Sequence, residues 1–244
     1  MGGDDHERLR LDDSMGLAKH ACMRTIAATD FVDALPPVTL AGDEIHVWLY
    51  REAQPGSSMP IVRELLAAYL NADPDAVGIE RDDRGKPYLA RPAESALHFN
   101  LSHSGGYLAV ALGLRHALGV DIEGSPRDRP WLALAQRYFA PDEYRLLSLL
   151  PPDRIPAAFL QLWSCKEAVV KALGFGIAFG LDRVAFDLDG DGCPRDLIGV
   201  ADGTESGADW QIMQMRPVGG LVGALAWRGP EKRVRTFRMR AGRR

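Results

Sequence analysis

The chain has 244 residues, 46% apolar and 25% charged, with a formal net charge of −4. That length and composition fit one large soluble domain or two small ones, and the acidic balance argues against a general nucleic-acid binder. Cys22, Cys165 and Cys193 are odd in number and widely spaced, which suggests neither a disulfide framework nor a zinc site, and no apolar run approaches a membrane span.

The first forty residues show little periodicity and contain Pro36-Pro37, so a loosely ordered leader with one short helix is expected there. Its start, MGGDDHERLRLDD, is acidic and polar, unlike a signal or transit peptide, and the expected location is the cytoplasm. Glu44–Tyr50 (EIHVWLY) alternates like a strand, Gln54–Ser58 (QPGSS) reads as a loop, and Ile61–Leu70 (IVRELLAAYL) as an amphipathic helix. Asp82–Lys86 (DDRGK) is a turn. His98–Leu101 and Tyr107–Leu112 are apolar runs joined through SHSGG, a hairpin signature. Leu118–Glu123 is a third strand, closed by Gly124-Ser125-Pro126.

Helical patterns follow at Trp131–Phe139, Pro141–Leu150 and Pro156–Leu173, the last with Pro156 at its start and Gly174 at its C-terminal cap position. Strands are expected at Arg183–Leu188, Trp210–Met215, Leu221–Trp227 and Val234–Met239, the last an edge strand with a basic, solvated end. Helix followed by hairpin-linked strands occurs twice, which suggests two α+β halves divided near residue 125. Asp187-x-Asp189-x-Asp191-Gly192 matches the first half of an EF-hand loop, but Ile198 stands where the bidentate Glu belongs, so a hairpin turn is expected instead.

Four stretches carry chemistry. In GVDIE (Gly119–Glu123) a strand would point Asp121 and Glu123 to the same face, where two carboxylates repel unless solvated or bridged by a cation. Oxygen-only ligands favour Mg²⁺ or Mn²⁺, although a solvated face is an equally good reading of the pair alone. FNLSHSGG (Phe99–Gly106) sets Ser102, His103 and two glycines at a hairpin tip. Adjacent strand residues point to opposite faces, so a Ser-His hydrolase pair is a poor reading, and His103 is better motivated as a phosphate contact. RGKPYL (Arg84–Leu89) places Lys86 beside a Gly-Pro turn. WSCKEAVVKALG (Trp163–Gly174), wound at about 100° per residue, puts Lys166 inside an apolar stripe and Glu167 and Lys171 on its edge. An ammonium in such a stripe needs a partner or must reach past its neighbours to water. Only five of the 29 basic residues are lysines, and two of them lie in this stretch.

In order and spacing, GKP (85–87), FNLSHSGG, GVDIE, FAPDE (139–143) and WSCKEAVVKALG resemble the 4′-phosphopantetheinyl transferases of the surfactin-synthetase-activating type, which serve polyketide and non-ribosomal peptide synthesis. The resemblance implies an α+β monomer of two similar halves related by a pseudo-two-fold, with the active site at their interface; on the periodicity above, the leader spans 1–40 and the halves 41–125 and 126–244. It implies Mg²⁺-dependent transfer of 4′-phosphopantetheine from coenzyme A to a serine of an apo acyl or peptidyl carrier protein, without nucleic-acid or membrane partners. Asp121, Glu123 and Glu167 would be metal ligands. Ser102 and His103, with Lys86 nearby, would contact coenzyme A phosphates, and Lys166, Glu167 and Lys171 would meet the metal-bound pyrophosphate. Glu167 is the candidate base, with His103 the runner-up. The segment Arg51–Pro60 is shorter and less basic than the family pattern, so Arg51 and Arg63 become candidates for the 3′-phosphate. The alternatives are a non-catalytic relative that binds carrier protein, and a metal-dependent nuclease.

Overall fold

The computed structural model describes residues 23–52, 58–124, 129–176, 179–201 and 205–239. The start of the expected leader, most of the QPGSS loop, Ser125, Pro126 and the last basic residues lie outside them.

In chain order the chain forms β1 (Thr25–Ile26), β2 (Phe31–Ala34), β3 (Glu44–Arg51), α1 (Ser58–Leu70), β4 (Gly78–Arg81), β5 (Pro87–Arg91), β6 (Leu97–Ser104), β7 (Tyr107–Leu114) and β8 (Leu118–Glu123). There follow α2 (Trp131–Tyr138), α3 (Pro141–Ser148), α4 (Ile155–Leu173), β9 (Val184–Leu188), β10 (Pro194–Val200), β11 (Glu205–Ser206), β12 (Trp210–Met215), β13 (Val222–Arg228) and β14 (Arg233–Met239). The sheets run β2-β14-β3-β7-β6, β1-β12-β13-β8, β11-β10-β9 and β4-β5.

A repeat invisible in the residues is plain in the pairing. β3 pairs antiparallel with β7, and β7 with β6; β8 pairs antiparallel with β13, and β13 with β12. Each series is a strand, then helix, then a hairpin outside the main sheet, then a hairpin within it. Two strands sit across the division expected near residue 125. β8 belongs to the sheet of the second series, and β14 pairs with β3 of the first.

Alternation in β3 explains the layering. Ile45, Val47 and Leu49 enter the core between the two main sheets, where Val120, Ile122, Leu225 and Trp227 meet them. Trp48 and Tyr50 face the other way, onto Val62, Leu65 and Leu66 of α1. On the far side α4 covers the second sheet with Leu162, Val169 and Val170. The order is helix, sheet, sheet, helices, and the seam between the sheets is where the halves meet.

Two expectations need correction. Part of the presumed leader is ordered: β1 adds parallel to β12, and β2 parallel to β14, so residues 25–34 extend both sheets. Ile26 and Phe31 anchor them, at 5% and 4% exposure. Strands of two and four residues are too short to show a period. For the same reason β14 is not an edge: β2 covers its outer side and β3 its inner side. The Asp189 loop is the expected hairpin turn, its Oδ1 accepting from the amides of Asp191 and Cys193 at 2.9 and 2.8 Å.

Candidate active site

β6 and β8 run side by side at the seam, and side chains join them. Asn100 Oδ1 accepts from the Val120 amide at 2.8 Å, Ser102 Oγ from Ile122 at 3.3 Å, and Ser104 Oγ from Gly124 at 2.9 Å. Residues two apart on a strand share a face, so Asn-x-Ser-x-Ser forms a side-chain ladder to the β8 backbone. Asn100 and Ser104 were not singled out in the sequence, though the alternation in FNLSHS was the available signal.

The ladder also fixes the β8 carboxylates. Ser102 Oγ donates to Asp121 Oδ1 at 2.9 Å, and Ser104 Oγ reaches Glu123 Oε2 at 3.5 Å. Ser102 is thus buried and committed to Asp121, rather than presented as a phosphate donor. His103, on the opposite face, is exposed. The sharp return at Gly105-Gly106, both at positive φ (59° and 76°), lies one residue beyond the serine ladder.

α4 delivers the rest. It lies so close on β8 that a Cβ at Gly119 would stand 2.0 Å from the Ala168 carbonyl oxygen, which is why GVDIE begins with glycine. The approach brings Lys171 Nζ to 2.8 Å from Asp121 Oδ1 and 3.2 Å from the Val120 carbonyl. Glu167 is 6% exposed and, among the described residues, its Oε1 has no hydrogen-bond partner; neither has Asp121 Oδ2. Burial, and then the Asp121 charge, push the Glu123 and Glu167 carboxyls up to about 7 against the pull of Lys171. Such crowding favours a cation. Among the described residues no three His, Cys, Asp or Glu side chains are already gathered as a metal site, and the Lys171 ammonium holds one of the Asp121 oxygens. Two buried acceptors without donors nonetheless fit a hard divalent ion with oxygen ligands.

A cleft of about 420 Å³ opens beside Glu123, lined also by Ser104, Gly105, Arg129, Trp131 and Gly220. Arg129 was not singled out in the sequence, where it shares a polar stretch with Arg127 and Asp128.

Three expected cofactor contacts are placed otherwise. Lys166 is fully buried, its Nζ 2.7 Å from Glu143 Oε2 and bonded to the carbonyls of Leu181 (3.0 Å) and Val184. Its charge is answered inside the second half, not in the cleft. Arg63 donates to the Val77 carbonyl and so ties α1 to the following loop. Lys86 Nζ donates to the Lys171 carbonyl at 2.5 Å, at the C-terminal end of α4, with burial lowering its pKa. Arg51 ends β3, exposed, opposite Tyr107.

Residues 57–114 match the family described as "4'-phosphopantetheinyl transferase, N-terminal", and residues 117–212 the "4'-phosphopantetheinyl transferase superfamily". The boundary falls just before β8, as the sheet pairing does. Over 226 residues the chain is 31% identical to the 4'-phosphopantetheinyl transferase HetI of Nostoc, across 80% of this chain and 92% of that protein.

The chain belongs to the 4′-phosphopantetheinyl transferase superfamily.

It is also 35% identical to a Bacillus subtilis 4'-phosphopantetheinyl transferase over 54% of this chain and 57% of that protein. A human protein named L-aminoadipate-semialdehyde dehydrogenase-phosphopantetheinyl transferase matches at 28%, over 52% of this chain and 44% of its own length. The fold is that of the superfamily, with two α+β halves meeting at a seam. No described helix of this transferase is long and apolar enough to cross a membrane.

Proposed function

We propose that this enzyme transfers 4′-phosphopantetheine from coenzyme A to a serine of an apo acyl or peptidyl carrier protein, with adenosine 3′,5′-bisphosphate as the other product. The observation that carries the reading is the meeting of Asp121, Glu167 and Lys171 at the seam between two halves that each match the family. The finer form of the proposal is a surfactin-type, cytoplasmic monomer serving polyketide or peptide synthesis, supported by both halves lying in one chain.

Asp121, Glu123 and Glu167 would hold Mg²⁺ or Mn²⁺. Bound there, the ion would offset charge on the pyrophosphate during transfer. The carrier serine Oγ forms a bond to the β-phosphorus while the bond from that phosphorus to the bridging oxygen breaks, and the charge leaves on the adenosine bisphosphate. The serine proton passes to Glu167, whose Oε1 is buried and without a partner. His103 is a weaker candidate, because it stands on the face of β6 away from the serine ladder. It remains available to a phosphate of the cofactor, as does Arg51, whereas the Lys86 ammonium is engaged by the Lys171 carbonyl. Lys171 faces charge that grows on the phosphates in the transition state.

A gain in mass of one phosphopantetheine on an apo carrier protein tests the proposal; no gain with a range of carriers refutes it. Lys171→Ala should lower kcat about 10²–10³-fold with a smaller change in KM, since it removes one donor to transition-state charge. An effect confined to KM would make Lys171 a cofactor-binding group only.

The 3′-phosphate has few cationic partners. Arg63 is bonded to Val77, and Arg24 sits with Glu231 at 2.5 Å by β1, the sheet edge remote from β8. Coenzyme A and 3′-dephospho-coenzyme A should therefore differ by no more than about tenfold in kcat/KM, whereas losing two charge-assisted contacts costs about 10²-fold or more. A preference above a hundredfold would point to basic residues outside the described chain, Arg8, Arg10 and Lys19.

A further inference from the structure

The hairpin of β4 and β5 stands apart from both main sheets, yet its turn reaches the C-terminal end of α4. The turn is rigid. Asp82 Oδ1 accepts from the amides of Arg84 and Lys86 at 3.0 and 2.9 Å, the Asp82 carbonyl accepts from Gly85 at 2.8 Å, and Gly85 has φ +82°. From this base two cations cross from the first half to the second. Lys86 Nζ donates to the Lys171 carbonyl at 2.5 Å. The Arg84 guanidinium lies 4.2 Å from the centroid of the Phe175 ring. Phe175 in turn stacks on Phe179 at 4.8 Å, and Arg183 covers the far face of Phe179 at 4.4 Å.

The two contacts bracket the cap of α4. Gly174 closes the helix at φ +79°, its amide bonding the Lys171 carbonyl at 3.2 Å, and the Phe175 amide bonds Val170 at 3.1 Å. A cation at a helix C-terminus also complements its dipole. Lys171 is therefore held twice: its carbonyl by a lysine of the first half, its ammonium by Asp121. A slip of the last turn would move that ammonium off the carboxylate.

We propose that the β4–β5 hairpin is a clasp between the halves and that Arg84, seated on Phe175, is a positioning residue for Lys171. The clasp locks the last turn of α4 by an interaction that involves no cofactor atom. This rests on the transfer reaction proposed above for the effect on turnover, but not for the effect on the helix end.

The test uses the full chain, with Arg84→Ala, Arg84→Lys, Phe175→Leu and Arg84→Ala/Phe175→Leu. Transfer from coenzyme A to an apo carrier protein is measured, and amide exchange at Gly174 and Phe175 is followed without substrate. Arg84→Ala should lower kcat about threefold to fivefold, the factor that an exposed cation–π contact supports, with KM for coenzyme A within about twofold. Exchange at the two amides should quicken by a similar factor. Arg84→Lys should restore most of both, and Arg84→Ala should add nothing in the Phe175→Leu background. A raised KM with unchanged kcat would overturn the clasp in favour of direct cofactor contact, as would multiplicative effects in the double variant or unchanged exchange. If the unaltered chain transfers nothing, the functional proposal fails, and exchange alone decides the clasp. Should Arg84→Ala fold poorly, Arg84→Gln removes the charge while keeping the length of the side chain.

Discussion

Asp121→Asn should yield a folded chain that transfers phosphopantetheine roughly 10²–10³-fold more slowly than the unaltered enzyme. The Asp121 carboxylate is the point at which three elements meet. Its Oδ1 accepts from Ser102 of β6 and Lys171 of α4, while Oδ2 lies buried on β8 with no donor among the described residues. Asparagine keeps the shape and one acceptor but removes the charge that orients Lys171 and the oxygen best suited to a metal. Stability should hardly fall. The Asp121 charge helps to push Glu123 and Glu167 up to about 7, so neutralising it relieves a crowded site, as is common where function and stability conflict. Turnover, the urea midpoint and calorimetric Mg²⁺ binding are the measurements. Near-normal turnover with Mg²⁺ would sink the assignment, and a collapse of the midpoint would make Asp121 a structural residue.

How far the site was legible depends on the range of each contact. GVDIE and WSCKEAVVKALG could be placed because strand and helix periods fix which side chains share a face within one element. The family resemblance put Asp121 and Lys171, fifty positions apart, at one site, as metal ligand and pyrophosphate contact; their direct ion pair was not legible. It is produced by Gly119, the one residue on β8 small enough for α4 to lie against it. Asn100 and Ser104 were half legible. Their alternation with Ser102 was present, but nothing in a strand's own sequence tells that its partner strand will be met by side chains instead of backbone. Arg63 was misjudged because an arginine beside a short loop looks free until the Val77 carbonyl folds against it. In the fold, long periodic elements such as α4 and β12 were clear, whereas β1 and β2 exist only because edges of β12 and β14 were open to pair with them.

Lys166 was the largest misplacement, and it carries the largest expected effect on stability. The expectation put its ammonium in the cleft; the structure buries it at 0% exposure, with Glu143 Oε2 at 2.7 Å, the Leu181 and Val184 carbonyls as further acceptors, and the Phe139 ring 5.2 Å away. Three acceptors around one nitrogen suit an ammonium, even though burial itself pulls the Lys166 pKa down. Glu143 is equally occupied, accepting from the amides of Ala140 and Phe186 at 2.8 Å each, so it joins the start of α3 to β9 as well as to α4. Removing one member of such a pair leaves the other charged and buried, which costs about 3–5 kcal/mol. Lys166→Met keeps most of the volume and isolates that charge, so it should lower Tm by roughly 6–20 °C for a chain of this size. Lys166→Met/Glu143→Gln should be more stable than Lys166→Met alone, because both charges leave together. Recovery will be partial, since glutamine has a single acceptor oxygen for two amides. Urea midpoints for the two single variants and the double close the cycle, and turnover at a temperature where each remains folded separates the roles. If Lys166→Met keeps full stability while kcat drops a hundredfold, the ammonium reaches the cofactor and its burial against Glu143 is wrong; a loss of stability with kcat within a few fold assigns Lys166 to the core of the second half.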